Sequence, residues 1–226
     1  MDPQALPLVI VGLVGAAVFG AIVLKPRKDR KRRDALAVWA SDRGYDFAPE
    51  RNIHDCAVDL GLRELGRNHE FLNVVSGSSE GLPFLLFDHR YEVGSGKNRH
   101  TVRRTAAAFK LGGNLSSFRL RPEGMGDKLL SLLGMQDIDF PENPDFSSAY
   151  LLRGVNEKKT RRDFNRNVLA FFSGHHGWSV AGAGPWVGFF KASSFLPGTD
   201  TRVPPERLAE YLEEARFGAS FFNITQ

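Results

Sequence analysis

Arginine and aspartate side chains recur in the middle of the chain, in stretches whose alternating pattern is typical of neighbouring strands. If Arg103 shares a sheet face with Arg119 or Arg121, these side chains form a positive patch able to hold an anionic headgroup or an acidic partner segment. The alternative, which we favour, is cross-strand ion pairing on a solvated face. The residues involved are Asp88, Arg90, Arg103, Arg104, Arg119 and Arg121.

A glycine-rich turn at residues 94–97 has the composition of a phosphate-binding loop but not its spacing. A P-loop needs a glycine five residues before the Gly96-Lys97 pair and a Ser or Thr after it, where this chain has Tyr91 and Asn98. The turn also joins two predicted strands, whereas the motif precedes a helix whose amides face the phosphate. We therefore interpret it as a hairpin turn.

No other group of residues predicts catalysis or a cofactor. Cys56 follows His54 and Asp55 but has no flanking nucleophile pattern. His175 and His176 are adjacent at a predicted helix end, where neighbouring positions do not share a face. The acidic residues lack the glycine and terminal glutamate of a calcium loop. We predict no catalytic residue, no metal site and no cofactor; the acidic residues are Asp137, Asp139, Glu142 and Asp145.

Residues 6–24, LPLVIVGLVGAAVFGAIVL, predict the element that positions the rest of the chain. Nineteen residues without a charge form a helix of roughly 28 Å, close to the thickness of a bilayer core. The run lacks the basic n-region and cleavage site of a signal peptide. We expect residues 1–24 to be a short outside leader and a transmembrane helix.

Within this span, small residues recur at every fourth position. Gly12, Ala16 and Gly20 leave one stripe without bulky side chains, which would let a second helix approach closely. This pattern predicts that the span contacts a second helix, either of another copy of this chain in a homodimer or of another protein. The alternative is that Gly and Ala are simply common in transmembrane helices.

Residues 25–34, KPRKDRKRRD, form a basic juxtamembrane segment. Because the leader has no basic side chain, the positive-inside bias places the N-terminus outside and residues 35–226 in the cytoplasm, as a single-pass protein of the inner or plasma membrane. Each cation near an anionic leaflet gains roughly 1 kcal/mol, so we expect contact with lipid headgroups. The seven cations are Lys25, Arg27, Lys28, Arg30, Lys31, Arg32 and Arg33.

The charge of the whole chain, +4, comes from this segment. Outside it the chain has 23 basic and 24 acidic residues, from totals of 30 and 26, so nucleic acid is not an expected partner. One cysteine excludes a disulfide framework and agrees with a reducing cytoplasm. About 190 residues suit one domain with its own core.

The pattern of the domain predicts an α+β fold around a mainly antiparallel sheet, built as a meander followed by a β-α-β-β-α segment. A short helix is expected over 34–43, then a strand over 45–48 and loop or helical turns to residue 70. Three strands follow between 71 and 111, and a fourth over 117–122 after Gly112-Gly113-Asn114. Apolar residues on both faces of 84–87 predict a strand covered on both sides.

The last third predicts further elements in turn. A short helix is expected over 127–133 and an acidic turn over 137–144. A strand over 150–152 precedes one helix over 159–172, and 178–181 with 186–191 form a hairpin around Gly182-Ala183-Gly184. Pro204 and Pro205 open a final helix whose buried stripe is Leu208, Tyr211, Leu212 and Ala215.

Several segments together resemble an uncharacterised family of bacterial single-pass membrane-anchored proteins, a domain of unknown function common in actinobacteria and related groups. The segments are LLFDHRYEVGSGKNRHTVRRTAAAF, FRLRPEG, QDIDFPENPDFSSAYLLRG and WSVAGAG. The resemblance covers about residues 35–220 and is most specific at Phe87-Asp88 and 146–154. It implies an anchored cytoplasmic domain, and it implies no activity and no catalytic residue.

Three functions are compatible with this organisation. The leading one is a non-catalytic binding or scaffolding module on a membrane tether, since the anchor is present and no catalytic constellation is. The second is a domain that senses anionic lipid headgroups at the inner leaflet, from the basic segment and the arginine patch. The third is an enzyme that acts on a membrane-proximal substrate, with Cys56 as its candidate nucleophile.

Overall fold

The computed structural model describes residues 27–123, 136–191 and 200–222. The predicted span over 6–24 and the predicted helix over 127–133 lie outside these ranges. Within the described ranges, no helix is long and apolar enough to cross a membrane. What the structure describes is an α+β domain around a mainly antiparallel sheet.

The described ranges contain eight strands and six α-helices, with short 3₁₀ turns at Leu62–Leu65, Gly96–Asn98 and Pro205–Arg207. The strands are β1 (Asp46–Glu50), β2 (Arg67–Ser79), β3 (Leu82–Val93), β4 (His100–Pro122), β5 (Gln136–Asp137), β6 (Tyr150–Gly154), β7 (Trp178–Lys191) and β8 (Asp200–Thr201). The helices are α1 (27–41), α2 (His54–Asp59), α3 (Pro144–Ala149), α4 (Glu157–Asp163), α5 (Arg166–Gly174) and α6 (Leu208–Ser220).

Strands β2, β3 and the first half of β4 form the antiparallel meander predicted over 71–111, and β1 pairs with its outer strand. Strand β4 is the axis of the sheet. Its first half pairs with β3 on one side and with β7 and the short parallel strand β8 on the other. Its second half lies between β6 and β7. This long strand therefore joins the meander to the last third of the chain.

Two sequence predictions about strands were wrong for one reason. Gly112-Gly113-Asn114 was expected to end a strand, and Gly182-Ala183-Gly184 to turn a hairpin, but β4 and β7 each run through. Register shifts between Lys110 and Phe118 absorb the irregular stretch, and Gly184, at φ +52°, lies opposite Leu115. Glycine here supplies β-bulges that bend two paired strands together.

Helix predictions succeeded where the apolar stripe was regular. Helix α6 buries Leu208, Tyr211, Leu212 and Ala215 as expected. The single helix expected over 159–172 is instead α4 and α5, because the side chain of Asn165 caps α5 by accepting from the amides of Asn167 and Val168.

The sheet is covered on both faces, as the apolar pattern of β3 predicts. Helices α1, α5 and α6 pack on one face around Phe84, Leu86 and Phe109. Helix α2 and the following 3₁₀ turn pack on the other face over Phe87 and Ala106. Successive residues of β3 and β4 therefore enter two different environments.

Candidate functional site: an arginine-lined cleft beneath the first helix

Helix α1 is fixed to the sheet by an ion pair between Arg32 and Asp88. The guanidinium donates from Nε to Asp88 Oδ2 and from Nη2 to Oδ1, both at 2.7 Å. The two side chains are only 10% and 5% exposed. Such a bidentate geometry is the strongest form of this pair, and it fixes the orientation of α1 as well as its position.

Further hydrogen bonds of Arg32 and Asp88 connect α1 to β2, to β4 and to the segment around Val203. Asp88 also accepts from Asn73 Nδ2 at 2.9 Å and from Thr105 Oγ1 at 3.2 Å. Arg32 Nη1 donates to the Val203 carbonyl at 2.7 Å, and the Val203 amide donates to Thr105 Oγ1 at 2.9 Å. We call Arg32, Asp88, Asn73, Thr105 and Val203 the α1 lock.

Asn73 reaches Asp88 because β2 is irregular at this point. The β2–β3 register shifts between Leu72 and Val75, and Asn73 has φ +52°. Asn tolerates this left-handed conformation better than other side-chain-bearing residues. The bulge thus turns a buried amide toward the carboxylate.

A cleft of about 340 Å³ opens beside the α1 lock, between α1 and residues of β1, β2, β3 and β4. Five arginines and two aspartates dominate its charged lining, which gives an excess of positive charge. The charged lining residues are Asp29, Arg30, Arg33, Asp88, Arg90, Arg103 and Arg202.

Two of the five arginines are already neutralised. Arg90 lies 3.1 Å from Glu70, and Arg202 lies 2.8 Å from Asp29 and 2.6 Å from Asp200. Burial alone would raise the pKa of Asp200, but hydrogen bonds from Arg202 and the charges of Arg202 and Arg103 hold it below its ordinary value.

The other three arginines supply the excess positive charge of the cleft, which is reduced by one because Arg202 pairs with two carboxylates. Arg30, Arg33 and Arg103 make no ion pair with any carboxylate in the described ranges. Arg30 and Arg33 are exposed on α1, and Arg103 is half-buried on β4. The cleft therefore presents three guanidinium groups with unused donors.

The structure brings together some of the sequence candidates and separates others. Arg30 and Arg33 of the basic segment meet Arg103 of the strand patch in this one cleft. Arg32 belongs to the α1 lock, so its guanidinium is engaged with the protein. Arg27, Lys28 and Lys31 are exposed on α1. Lys25, Gly12, Ala16 and Gly20 lie outside the described ranges.

Arg119 lies on the opposite face of the sheet from Arg103. Its side chain is 13% exposed and lies 4.0 Å from Glu64 in the 3₁₀ turn after α2. Burial lowers the pKa of this guanidinium, with Glu64 opposing the shift. Arg121 follows on the same half of β4 and has interactions of its own. The expected patch is therefore divided, with Arg103 in the cleft and Arg119 packed beneath the other layer.

The same opposite face holds a cluster of the buried His89 with the half-buried His69 and Arg104. An arginine can only donate, so Arg104 Nη2, 3.3 Å from His89 Nδ1, requires that nitrogen to accept. His89 Nε2 then donates to His69 Nδ1 at 3.0 Å. Burial, followed by the charge of Arg104, lowers the pKa of His89 well below its ordinary 6.5. His89 is therefore neutral.

Two of the residues considered for catalysis or metal binding, Cys56 and His175, lie in structural roles. Cys56 is buried, and burial followed by the charge of Asp59 raises the pKa of its thiol, which disfavours the nucleophilic thiolate. His175 Nδ1 lies 2.9 Å from the Phe171 carbonyl at the end of α5. No group of three or more potential ligands could hold a metal ion in the part of the chain that the structure describes.

Two residues of the site carried little signal in the sequence. Arg202 lies 112 residues after Arg90 in the chain and reaches the cleft because β8 pairs with β4 in parallel. Asn73 lies within a long apolar-rich strand, where no turn signal marks the bulge. Asp88 did stand out, since the Phe87-Asp88 pair is part of the family resemblance, and its role is to hold α1.

Fold and cleft together define an α+β domain with a mainly antiparallel sheet and an arginine-lined cleft beneath its first helix. The fold is similar to the crystal structure of the mycobacterial trehalose monomycolate transport factor A, TtfA, with a TM-score of 0.56 and 16% sequence identity. The similarity covers 88% of this chain and 99% of that one. At this identity the likeness shows the fold alone, and a mycobacterial neighbour is consistent with the actinobacterial resemblance.

A second similarity is local. The mitochondrial ubiquinone biosynthesis protein COQ4 homolog of Drosophila virilis is 36% identical over 61 residues, which is 23% of this chain and 23% of that protein. The chain therefore matches less than a quarter of that relative's length. No family model matches the chain.

Proposed function

We propose that the chain is a single-pass, membrane-tethered accessory module whose cytoplasmic domain binds a partner without catalysis. The observation that carries this proposal is the α1 lock, which holds the helix that follows the expected span rigidly on the sheet. A domain held in this way keeps one face toward the membrane, as a scaffold requires.

The small number of residues between the expected span and the α1 lock supports this orientation. Arg32 is eight residues after the end of the expected span at Leu24, and residues 27–32 belong to α1, so the lock lies within roughly 18 Å of the bilayer even if the residues before α1 are fully extended. A helical segment would reduce the separation to about 12 Å. The cleft beside the lock would then face the inner leaflet and the cytoplasmic ends of neighbouring membrane proteins.

The comparisons add support for an accessory role. The structural neighbour is named a transport factor, which describes a protein that assists transport, and the shared fold makes the same class of role reasonable here. Of the residues first considered for catalysis, Cys56 is buried and His175 lies at the end of α5, whereas His54 and Asp55 are exposed. The partner of such an accessory module would be a membrane protein, or a second copy of this chain that contacts the expected span through Gly12, Ala16 and Gly20.

The test is affinity capture of the full-length chain from solubilised membranes. We expect a defined partner to co-purify, and we expect Arg32→Ala to reduce its recovery because α1 loses its fixed orientation. Arg207→Ala, which removes an exposed pair with Glu210, is the matched control. Changing Gly12, Ala16 and Gly20 to Leu shows whether contact lies in the membrane. Recovery of nothing beyond background, or a complex equally abundant with Arg32→Ala, would contradict the proposal.

A further inference from the structure

We infer that the cleft binds the phosphate ester of an anionic lipid headgroup, an assignment that rests on the proposed membrane tether. Arg30, Arg33 and Arg103 line one cleft, and none has a carboxylate partner in the described ranges. A guanidinium offers a planar fork of donors that matches phosphate oxygens. Three such groups around one space define an anion site.

The carboxylates of the cleft do not cancel this charge. Asp88 accepts from Arg32, Asn73 and Thr105, and Asp29 lies 2.8 Å from Arg202. Each negative charge in the lining is thus paired with a positive one. Asp200, which also pairs with Arg202 and interacts with the charge of Arg103, reduces the positive charge of the three remaining arginines but leaves an excess that an entering phosphate would meet.

The size of the cleft selects the class of ligand. A space of about 340 Å³ holds a small polar headgroup and lies at the lower end of the range of ligand pockets. Nucleic acid would need an extended basic surface, whereas the chain outside residues 25–34 carries slightly more acidic than basic residues. The shared chemistry is therefore a phosphate ester, and proximity to the expected span favours a lipid as its source.

Binding here would also strengthen the docking of α1. Arg30 and Arg33 belong to α1, whereas Arg103 belongs to the sheet, so one phosphate would bridge the two. A ligand that binds only the docked arrangement stabilises that arrangement. The cleft would thereby make the orientation of the domain depend on the lipid beneath it.

The experiment compares two variants with the same loss of charge in the full-length chain. One changes Arg30, Arg33 and Arg103 to Gln; the other changes Arg27, Lys28 and Lys31, which are exposed on α1 but absent from the cleft lining. Binding of a short-chain phosphatidic acid in neutral detergent micelles is measured by calorimetry at fixed ionic strength. We expect each cleft arginine to contribute about tenfold in affinity, and the control variant to lose only a few-fold.

Further arms distinguish the sources of the phosphate. Inorganic phosphate should bind at least tenfold more weakly than the lipid and should compete with it. Nanodiscs of phosphatidylcholine with phosphatidic acid should raise the thermal midpoint of the unmodified chain but not of the cleft variant. Equal affinity for inorganic phosphate would overturn the lipid assignment, and equal losses in both variants would overturn the site itself. If partner capture persists while no lipid binds, this inference fails and the proposed function stands.

Discussion

Two consecutive arginines of β4 show how one sheet divides the same side chain between two roles. Arg103 lines the cleft beneath α1, where it makes no ion pair within 4.0 Å in the described ranges, although it interacts with the charge of Asp200. Arg104 points to the opposite face, where its guanidinium lies 4.0 Å from the centre of the Phe190 ring and donates to His89. The first is available to a ligand, whereas the second is part of the core.

The environment of a basic side chain, and not its residue type, therefore decides whether it is a functional candidate. Arg104 Nε is buried without a hydrogen-bond partner in the described ranges, yet it stacks on aromatic rings. Arg32 is also largely withdrawn from water, but its guanidinium donates to Asp88, to Thr105 and to the Val203 carbonyl. In the cleft, by contrast, the side chains of Arg30, Arg33 and Arg103 keep donors that no ion pair in the described ranges occupies.

We expect the greatest loss of stability from Arg32→Ala, which breaks the buried ion pair of the α1 lock. Arg32→Ala leaves the Asp88 carboxylate buried without its counter-charge, so we expect a loss of about 3–5 kcal/mol in the free energy of unfolding. Denaturant titration of the full-length chain in micelles measures it. A double variant, Arg32→Met with Asp88→Leu, should recover much of the loss because no charge remains buried. A single variant that loses less than about 1 kcal/mol would contradict the described burial.

The direct comparison is between Arg104→Ala and Arg103→Ala. We expect Arg104→Ala to lose about 2 kcal/mol, because the His89 Nδ1 acceptor and the Phe190 stack both lose their partner. We expect Arg103→Ala to change stability by no more than about 0.5 kcal/mol. Thermal and denaturant unfolding of the two proteins under identical conditions provide the measurement. Equal losses would show that the two faces do not differ as described.

A third prediction uses the pH dependence of stability to test the sheet face opposite the cleft, which contains His89. The folded state holds the pKa of His89 below its ordinary 6.5, so the unfolded chain binds a proton that the folded chain does not. The stability from neutral His89 is complete above pH 6.5 and is lost as pH falls toward the folded pKa, at a limiting slope of about 1.4 kcal/mol per pH unit. His89→Gln should flatten this slope, whereas the exposed His54→Gln should not. An unchanged slope in His89→Gln would contradict the assignment.

The sequence predicted the fold best where a local pattern determined the structure. The strands of the meander and the stripe of α6 follow regular periods that packing on one or two faces requires. Gly112-Gly113-Asn114 was misread because the same residues serve a turn or a bulge, and the choice depends on β7, a distant partner strand.

The site was predicted in parts but not as an assembly. Charge density marked Arg30, Arg33 and Arg103 as candidates, yet nothing local distinguishes Arg32 from its neighbours in the basic run. Its burial depends on Asp88, 56 residues away, and on the bulge at Asn73. Long-range pairing of this kind is set by the tertiary fold, so a single sequence cannot assign it.

The last prediction concerns the exposed ion pair between Glu70 and Arg90 beside the cleft, where we expect the weakest change. Glu70 lies 3.1 Å from Arg90, and both side chains are about 40% exposed, so Glu70→Gln should change the free energy of unfolding by no more than about 0.5 kcal/mol. The same change frees a fourth guanidinium in the cleft lining, and we expect a two- to fivefold gain in affinity for short-chain phosphatidic acid, roughly what one added charge supplies near a protein surface. Glu157→Gln removes the same charge from the remote Arg161 pair and is the matched control. Because both variants raise the net charge equally, a gain confined to Glu70→Gln assigns the effect to the cleft, and equal gains would reduce it to net charge alone.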